Sequence, residues 1–349
     1  MRISRYLPIA VLMLMVLATF ALGQSAGGTS PVPGWQPKTP LGLDEVTGFA
    51  PKDNPLTEHK VLLGKKLFWD KRLSSSAAHS CQSCHTPEKG WADTLAVSQQ
   101  ATGRMNTRHT QSLYNTAFQK SWFWDGRAKS LEEAVRLEWE EQLGAKGKVE
   151  EIARKLNDLP GYRKLFEEAF GPGPVNPDKI VKAIASFSRT IMSANTHYDC
   201  YTEGAKASMG EAAKRGWELF RSTARCGVCH TPGTFTDNKY HMMGVGHGGL
   251  VKGDPGRAAI VGDPKLEGAV KTPTLRNVLA HPPFMHDGTF KTIEDVFKYY
   301  EMPYGAKNLA PEIEGGIHLT DAQKKDIIEF LKAIESADDP DTSAKPDLP

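Results

Sequence analysis

Apolar residues recur along this chain at helical rather than strand spacing. Ile180, Ile184, Phe187 and Ile191 return every three or four positions, the stripe that a helix turns toward a core, and they read simply as core. The same pattern predicts helices over residues 147–158, 177–193, 209–222, 292–301 and 320–335. Loops rich in Gly and Pro separate them, and strand alternation is scarce from Pro55 to about Ser336. The expected fold class is all-α.

The two ends read differently. Arg2 and Arg5 precede an apolar run from Leu7 to Leu22, followed by Gly23-Gln24-Ser25-Ala26. Positive, then apolar, then small residues are the order of a secretory signal peptide, assigned to 1–23. The run is short for a membrane span and no later stretch is apolar enough, so the expectation is an exported, periplasmic protein with no span in the mature chain. Residues 24–55 read as a linker or N-terminal arm. Residues 337–349, acidic and Pro-containing, read as a disordered tail.

Between these ends the chain repeats itself. Trp124-Asp-Gly-Arg-Ala-Lys-Ser-Leu-Glu-Glu-Ala-Val135 matches His286-Asp-Gly-Thr-Phe-Lys-Thr-Ile-Glu-Asp-Val-Phe297, and Cys81-Gln-Ser-Cys-His-Thr-Pro87 matches Cys226-Gly-Val-Cys-His-Thr-Pro232. Ser130 with Glu133, and Thr292 with Asp295, are capping-box pairs that start a helix in each copy. A length of 349 residues, 40% hydrophobic, suits two domains. They are placed at 56–176 and 177–336. A net charge of +2, from scattered Lys and Arg, gives no case for nucleic acid.

Cysteine carries the chemistry. Four of the five cysteines sit in two Cys-x-x-Cys-His motifs, the attachment signature of c-type haem. Cys81 and Cys84, and Cys226 and Cys229, would form thioethers to two haems, with His85 and His230 as proximal iron ligands. Zinc would need four ligands gathered in one place, whereas the pairs lie 145 residues apart. Cys200 reads as an idle or buried thiol. The sixth ligand decides between carrying electrons and doing chemistry. Tyr300 lies fourteen residues after His286, and Glu138 fourteen after Trp124, so the two occupy equivalent places. Tyrosinate is an axial ligand in some haem proteins. Met302 is two residues from Tyr300 and points elsewhere on a helix, which Pro303 ends. Met285, Met242, Met243, His241 and His247 remain candidate ligands. Trp124, at the expected domain junction, is positioned to relay an electron between haems.

These residues resemble the bacterial dihaem cytochrome c peroxidase/MauG superfamily over nearly the whole mature length. The matching stretches are Leu63-Gly-Lys-Lys-Leu-Phe-Trp-Asp-Lys-Arg-Leu73, Phe123-Trp-Asp-Gly-Arg-Ala128, Phe235-Thr-Asp-Asn238, Lys271-Thr-Pro-Thr-Leu-Arg-Asn277 and Phe284-Met-His-Asp-Gly288. The resemblance implies two cytochrome c-like domains whose haems face a shared interface. It also implies a peroxide-reactive haem in the N-terminal domain, an electron-transfer haem in the C-terminal one, and Trp124 as the inter-haem tryptophan. Departures follow the MauG branch. The region where the peroxidase branch holds a distal His reads Val97-Ser-Gln-Gln-Ala101, and Tyr300 stands where that branch has Met. The family's distal Gln and Glu positions hold Ala134 and Gly144, so Glu138 becomes the candidate acid–base group, with Glu140 and Glu141 as alternatives. The family's inter-domain calcium positions hold His109, His281 and Pro283, which argues against calcium. The expected function is reduction of hydrogen peroxide, fed by a small cytochrome c or copper protein. The alternatives are oxidation of residues on a partner protein, or a non-enzymatic dihaem electron carrier.

Overall fold

The computed structural model describes residues 37–245, 253–303, 309–337 and 339–349. The expected signal peptide, residues 24–36 of the arm and His247 lie outside them. Among the described residues the chain is helical, with one two-residue strand pair, Tyr240–His241 antiparallel to Val270–Lys271. No described helix is long and apolar enough to cross a membrane.

The first half holds α1 (Glu58–Trp69), α2 (Leu131–Glu141), α3 (Val149–Asn157), α4 (Pro160–Phe170) and α5 (Pro177–Ser188); the expected boundary at 177 gave α5 to the second domain, but its apolar stripe packs on α1 in the first core, so the boundary falls after Ile191. The second holds α6 (His197–Thr202), α7 (Glu211–Arg221), α8 (Cys226–Cys229), α9 (Ala258–Val261), α10 (Ile293–Glu301) and α11 (Asp321–Ala333). The predicted caps form: the Ser130 and Thr292 side chains accept from the amides of Glu133 and Asp295. The apolar side chains collect into two cores. One joins Leu63, Leu67, Phe68, Trp91, Trp139, Ile184 and Phe187; the other joins Tyr198, Phe220, Phe235, Phe297, Ile327 and Phe330.

Each half is built on one close helix crossing. In α1 the glycine of Leu63-Gly64-Lys65 lies against α5, and in α7 Gly216 lies against α11. A methyl group at either glycine would collide with a backbone carbonyl, that of Ala183 or Asp326. The halves also share their turns. Trp122 bridges Ala128 as Phe284 bridges Phe290, and Phe123 and Met285 both adopt φ 70°.

The tail departs from the expectation of disorder. Residues 340–343 form a short helix, α12, and the last residues return across α1. Lys65 donates to the Asp341 carbonyl at 2.5 Å, Lys66 to that of Asp347, and Arg72 to that of Pro349 at 3.0 Å. Composition alone could not place three cations where they meet free carbonyls.

Gly64→Ala or Gly216→Ala should cost at least about 1–3 kcal/mol of stability by overpacking a backbone crossing. Gly48→Ala, where the new methyl would meet nothing within 4 Å, should cost nothing. Urea unfolding of the three variants checks this.

Candidate functional site

Each Cys-x-x-Cys-His motif folds into a single tight turn. Cys81 accepts from the amides of Cys84 and His85 at 3.2 and 3.0 Å, and Cys226 accepts from that of His230 at 2.9 Å. Two thiols and an imidazole are thereby gathered on one short piece of backbone. Each imidazole is then turned by a backbone carbonyl: His85 Nδ1 lies 3.0 Å from Trp91 O, and His230 Nδ1 3.1 Å from Phe235 O. A carbonyl only accepts, so in the neutral ring Nδ1 carries the proton and Nε2 presents a lone pair. Trp91 and Phe235 both adopt left-handed backbone, φ 57° and 52°, an unfavourable conformation for bulky residues that the surrounding packing sustains. Burial keeps both rings neutral, pushing His230 down to about 4 and His85 in the same direction.

Burial also pushes the thiols up, Cys81, Cys226 and Cys229 to about 12 and Cys84 to about 11. A redox dithiol needs a depressed thiol pKa, so this environment opposes that reading. Among the described residues the two cysteine pairs do not meet around one metal position. Cys200 is half-buried in α6 and unpaired.

Over the first motif, Phe68 lies 6.5 Å from the His85 ring. The Glu138 carboxyl is close enough to raise both Cys81 and Cys84. Desolvation pushes Glu138 up to about 7, against the pull of Arg127 and with the added push of Glu141. Arg127 lies 3.6 Å over the Phe123 ring, bonds Asp125 at 3.3 Å and approaches Glu141 to 3.9 Å. Arg127 was not singled out by sequence reasoning, although it stands in the quoted Asp-Gly-Arg turn that leads into α2.

The second motif opens on a cavity of about 1750 Å³, its mouth included, lined by Cys226, Cys229, His230, Phe220, Leu275, Phe297 and Tyr300 among others. Apolar walls around two thiols and a bare imidazole nitrogen fit a covalently attached haem. Tyr300 lines the cavity, and burial pushes its phenol pKa up. Met302 is 80% exposed. Met285, Met243 and His241 also line the wall, whereas the Met242 sulfur accepts from the Gly244 amide. His241 is tied at 2.8 Å to Asp237. Glu312, which sequence reasoning missed, turns a buried, unpartnered Oε2 on this wall.

The two halves meet at Trp124. Its indole donates to His109 O at 2.8 Å, its carbonyl accepts from the Lys271 amide at 2.7 Å, and its ring stands edge-on to His286 at 6.2 Å. Around it, Arg108 joins Asp125 of one half to Asp254 of the other, at 2.6 and 2.7 Å. Arg257 donates to the carbonyls of Asp125 and Gly126. Lys271, buried and pushed down to about 7 by desolvation, is held by Gln119 and by Ser121 O. His281 is pushed down to about 4 by desolvation and by His109. The side chains of His109 and His281 offer nitrogen, whereas calcium takes about 6–8 oxygen ligands.

A family model described as di-haem cytochrome c peroxidase matches residues 58–207. The chain is 32% identical to the methylamine utilization protein MauG of Methylophilus methylotrophus, over 93% of this chain and 95% of that protein. It is 30% identical to the cytochrome-c peroxidase IdrP1 of Pseudomonas sp. strain SCT, over 96% and 94%. A solved MauG-like protein associated with microbial copper homeostasis superposes with a TM-score of 0.76 at 28% identity, covering 92% of this chain and 98% of that one.

Replacing Arg108 by Gln leaves Asp125 and Asp254 buried without their shared cation, and should cost about 3 kcal/mol. Burial alone would raise Asp254, but its bonds to Arg108 and the Gly256 amide outweigh that and hold it below the usual carboxylate range. The wild-type contribution is therefore present above about pH 4 and lost as pH falls further. Unfolding at pH 7 and pH 3 should show the variant's deficit shrinking in acid.

Proposed function

The chain belongs to the di-haem cytochrome c peroxidase and MauG family of oxidoreductases, and on that premise we propose that it is a periplasmic dihaem enzyme that reduces hydrogen peroxide in its N-terminal half. Cys81, Cys84 and His85 would hold one haem c, and Cys226, Cys229 and His230 a second, in two duplicated cytochrome c-like domains. Bound haem supplies an iron that takes peroxide and exchanges electrons. Residues 1–23 would be the export signal.

The observation that carries this reading is Glu138. A carboxyl held near 7 beside the first motif can accept a proton from one oxygen of hydrogen peroxide and return it to the other as the O–O bond breaks; two electrons from the external donor and two further protons complete the reduction to two waters. Arg127 opposes the desolvation that raises it and keeps the anionic form accessible at neutral pH. Trp124, buried and bonded to both halves, supports electron passage across the junction. The donor would be a small cytochrome c or copper protein. A second reading, oxidation of residues on a partner protein, is favoured by Tyr300 in the second cavity, the departure shared with the MauG branch. A non-enzymatic carrier has no use for a near-neutral carboxyl at Glu138.

Three outcomes test the assignment. Electron paramagnetic resonance of the resting ferric protein should show one high-spin haem that cyanide converts; two low-spin, cyanide-inert haems would defeat the reading. Glu138→Gln should slow reaction with peroxide at least about tenfold and abolish the fall in rate as pH drops below about 7. Loss in Glu141→Gln instead would move the role there. Tyr300→Phe should change the optical spectrum of the second haem, whereas Met302→Leu should not; the reverse pattern would exclude Tyr300 as its ligand.

A further inference from the structure

The chain leaves each half through the same clasp. Asn115 and Asn277 both adopt left-handed backbone, φ 58° and 54°, each nine residues before its turn residue, Trp124 or His286. Asn115 accepts from the Ser193 amide at 3.0 Å and donates to the Ser193 carbonyl at 2.9 Å. Asn277 does the same for Ser336, at 3.0 and 2.8 Å. The clasps touch: the Ser336 and Ser193 hydroxyls lie 2.9 Å apart, and Ser193 donates to the Asn277 side chain at 2.6 Å. Beyond Ser193 the chain runs on into the second half. Beyond Ser336 it turns back over the first, where Lys65 donates to Asp341 O at 2.5 Å, Lys66 to Asp347 O and Arg72 to Pro349 O at 3.0 Å. Pro349 also lies against α4, where a methyl on Gly161 would come within 2.6 Å of its Cβ. The internal repeat does not call for these lysines, since Gly216 of α7, the counterpart of Gly64, is followed by Trp217 and Glu218.

We propose that residues 339–349 form a salt-releasable strap by which the second half restrains α1 of the first. The strap has a fixed root and a weakly held arm. Asn277 and Ser193 are buried, so the bonds that hold Ser336 are shielded from water and correspondingly strong. Among the described residues, none of 339–349 enters either core, and all three contacts on α1 are exposed. Desolvation pushes Lys65 down, and the carboxylates of Asp341 and Asp339 pull it back up. Exposed contacts of charged groups are individually weak and are screened by salt. A segment held by a few of them belongs to the low-stability end of a fold and opens first. Helix α1 is a consequential place to hold. Its Phe68 stands 6.5 Å from the His85 ring, and Leu73, next to Arg72, accepts at 2.9 Å from the indole of Trp139, the neighbour of Glu138. The strap is independent of the peroxide reading, and its test involves no turnover.

The purified dihaem protein is treated with a water-soluble carbodiimide, which joins an amine to a nearby carboxylate, and the linked peptides are measured by mass spectrometry. Lys65–Asp341 links should form at low salt and fall at least about fivefold in 1 M salt, where screening acts within about 3 Å. Lys155 and Glu151, paired at 2.6 Å within α3, are the control, with a yield that salt leaves within about twofold. A chain ending at Ser336 should keep both haems and its Soret spectrum, while the amides of α1 exchange with deuterium at least about threefold faster and those of α7 at the wild-type rate. Lys65→Gln combined with Lys66→Gln in the full chain should give the same rise, and decides the matter should the shortened chain misfold. No Lys65–Asp341 link at low salt, a yield indifferent to salt, or unchanged α1 exchange in either folded variant would each overturn the strap.

Discussion

A single hydrogen bond organises each half of this protein: the one from an imidazole Nδ1–H to a backbone carbonyl, at Trp91 in the first half and Phe235 in the second. It turns Nε2 outward and fixes the tautomer, without which that nitrogen could not act as a ligand. At both carbonyls the residue is a bulky aromatic in left-handed backbone, a strained conformation that a tight surround maintains. Trp91 is packed among Phe68, Trp69 and Phe187, and Phe235 among Tyr198, Phe220 and Phe330. The cores are in this sense the mould for two carbonyl groups. The close helix crossings at Gly64 and Gly216 bring those aromatics together.

On this shared scaffold the halves differ at a few side chains. Trp124 and His286 begin equivalent turns, one a polarisable indole, the other a buried imidazole. Glu138 and Tyr300 sit at equivalent places on α2 and α10. Burial raises both, but a carboxyl raised to about 7 can exchange protons at physiological pH, whereas a phenol raised from an already high value cannot. The same physical push therefore makes one position fit for acid–base work and leaves the other as a neutral hydroxyl unless a cation claims its proton.

Charged groups bridge the junction. Arg108, Asp125, Asp254 and Arg257 exchange bonds across the halves around Trp124. Such buried pairs add little net stability over apolar contacts, yet breaking one is costly, so they define one docking geometry. Arg276, fully buried, does the same within the second half by joining Asp199 to the Gly233 carbonyl beside the second motif.

Much of this was legible in the residues alone. The helical period marked α3, α5, α7, α10 and α11 to within a few residues, and the paired motifs placed His85 and His230 because cysteine spacing is itself a covalent constraint. The internal repeat aligned Glu138 with Tyr300, and helix periodicity kept Met302 off that face, where it is exposed. What the sequence could not carry depends on groups distant along the chain. The pKa of Glu138 follows from desolvation and from Arg127, and no local pattern encodes burial. The bare Nε2 of His109 depends on the Leu95 carbonyl that faces its Nδ1. The tail's course over α1 depends on where three cations point. Periodicity and spacing are properties of neighbours along the backbone; desolvation, tautomer and docking arise only once the chain has folded and remote groups exclude water together.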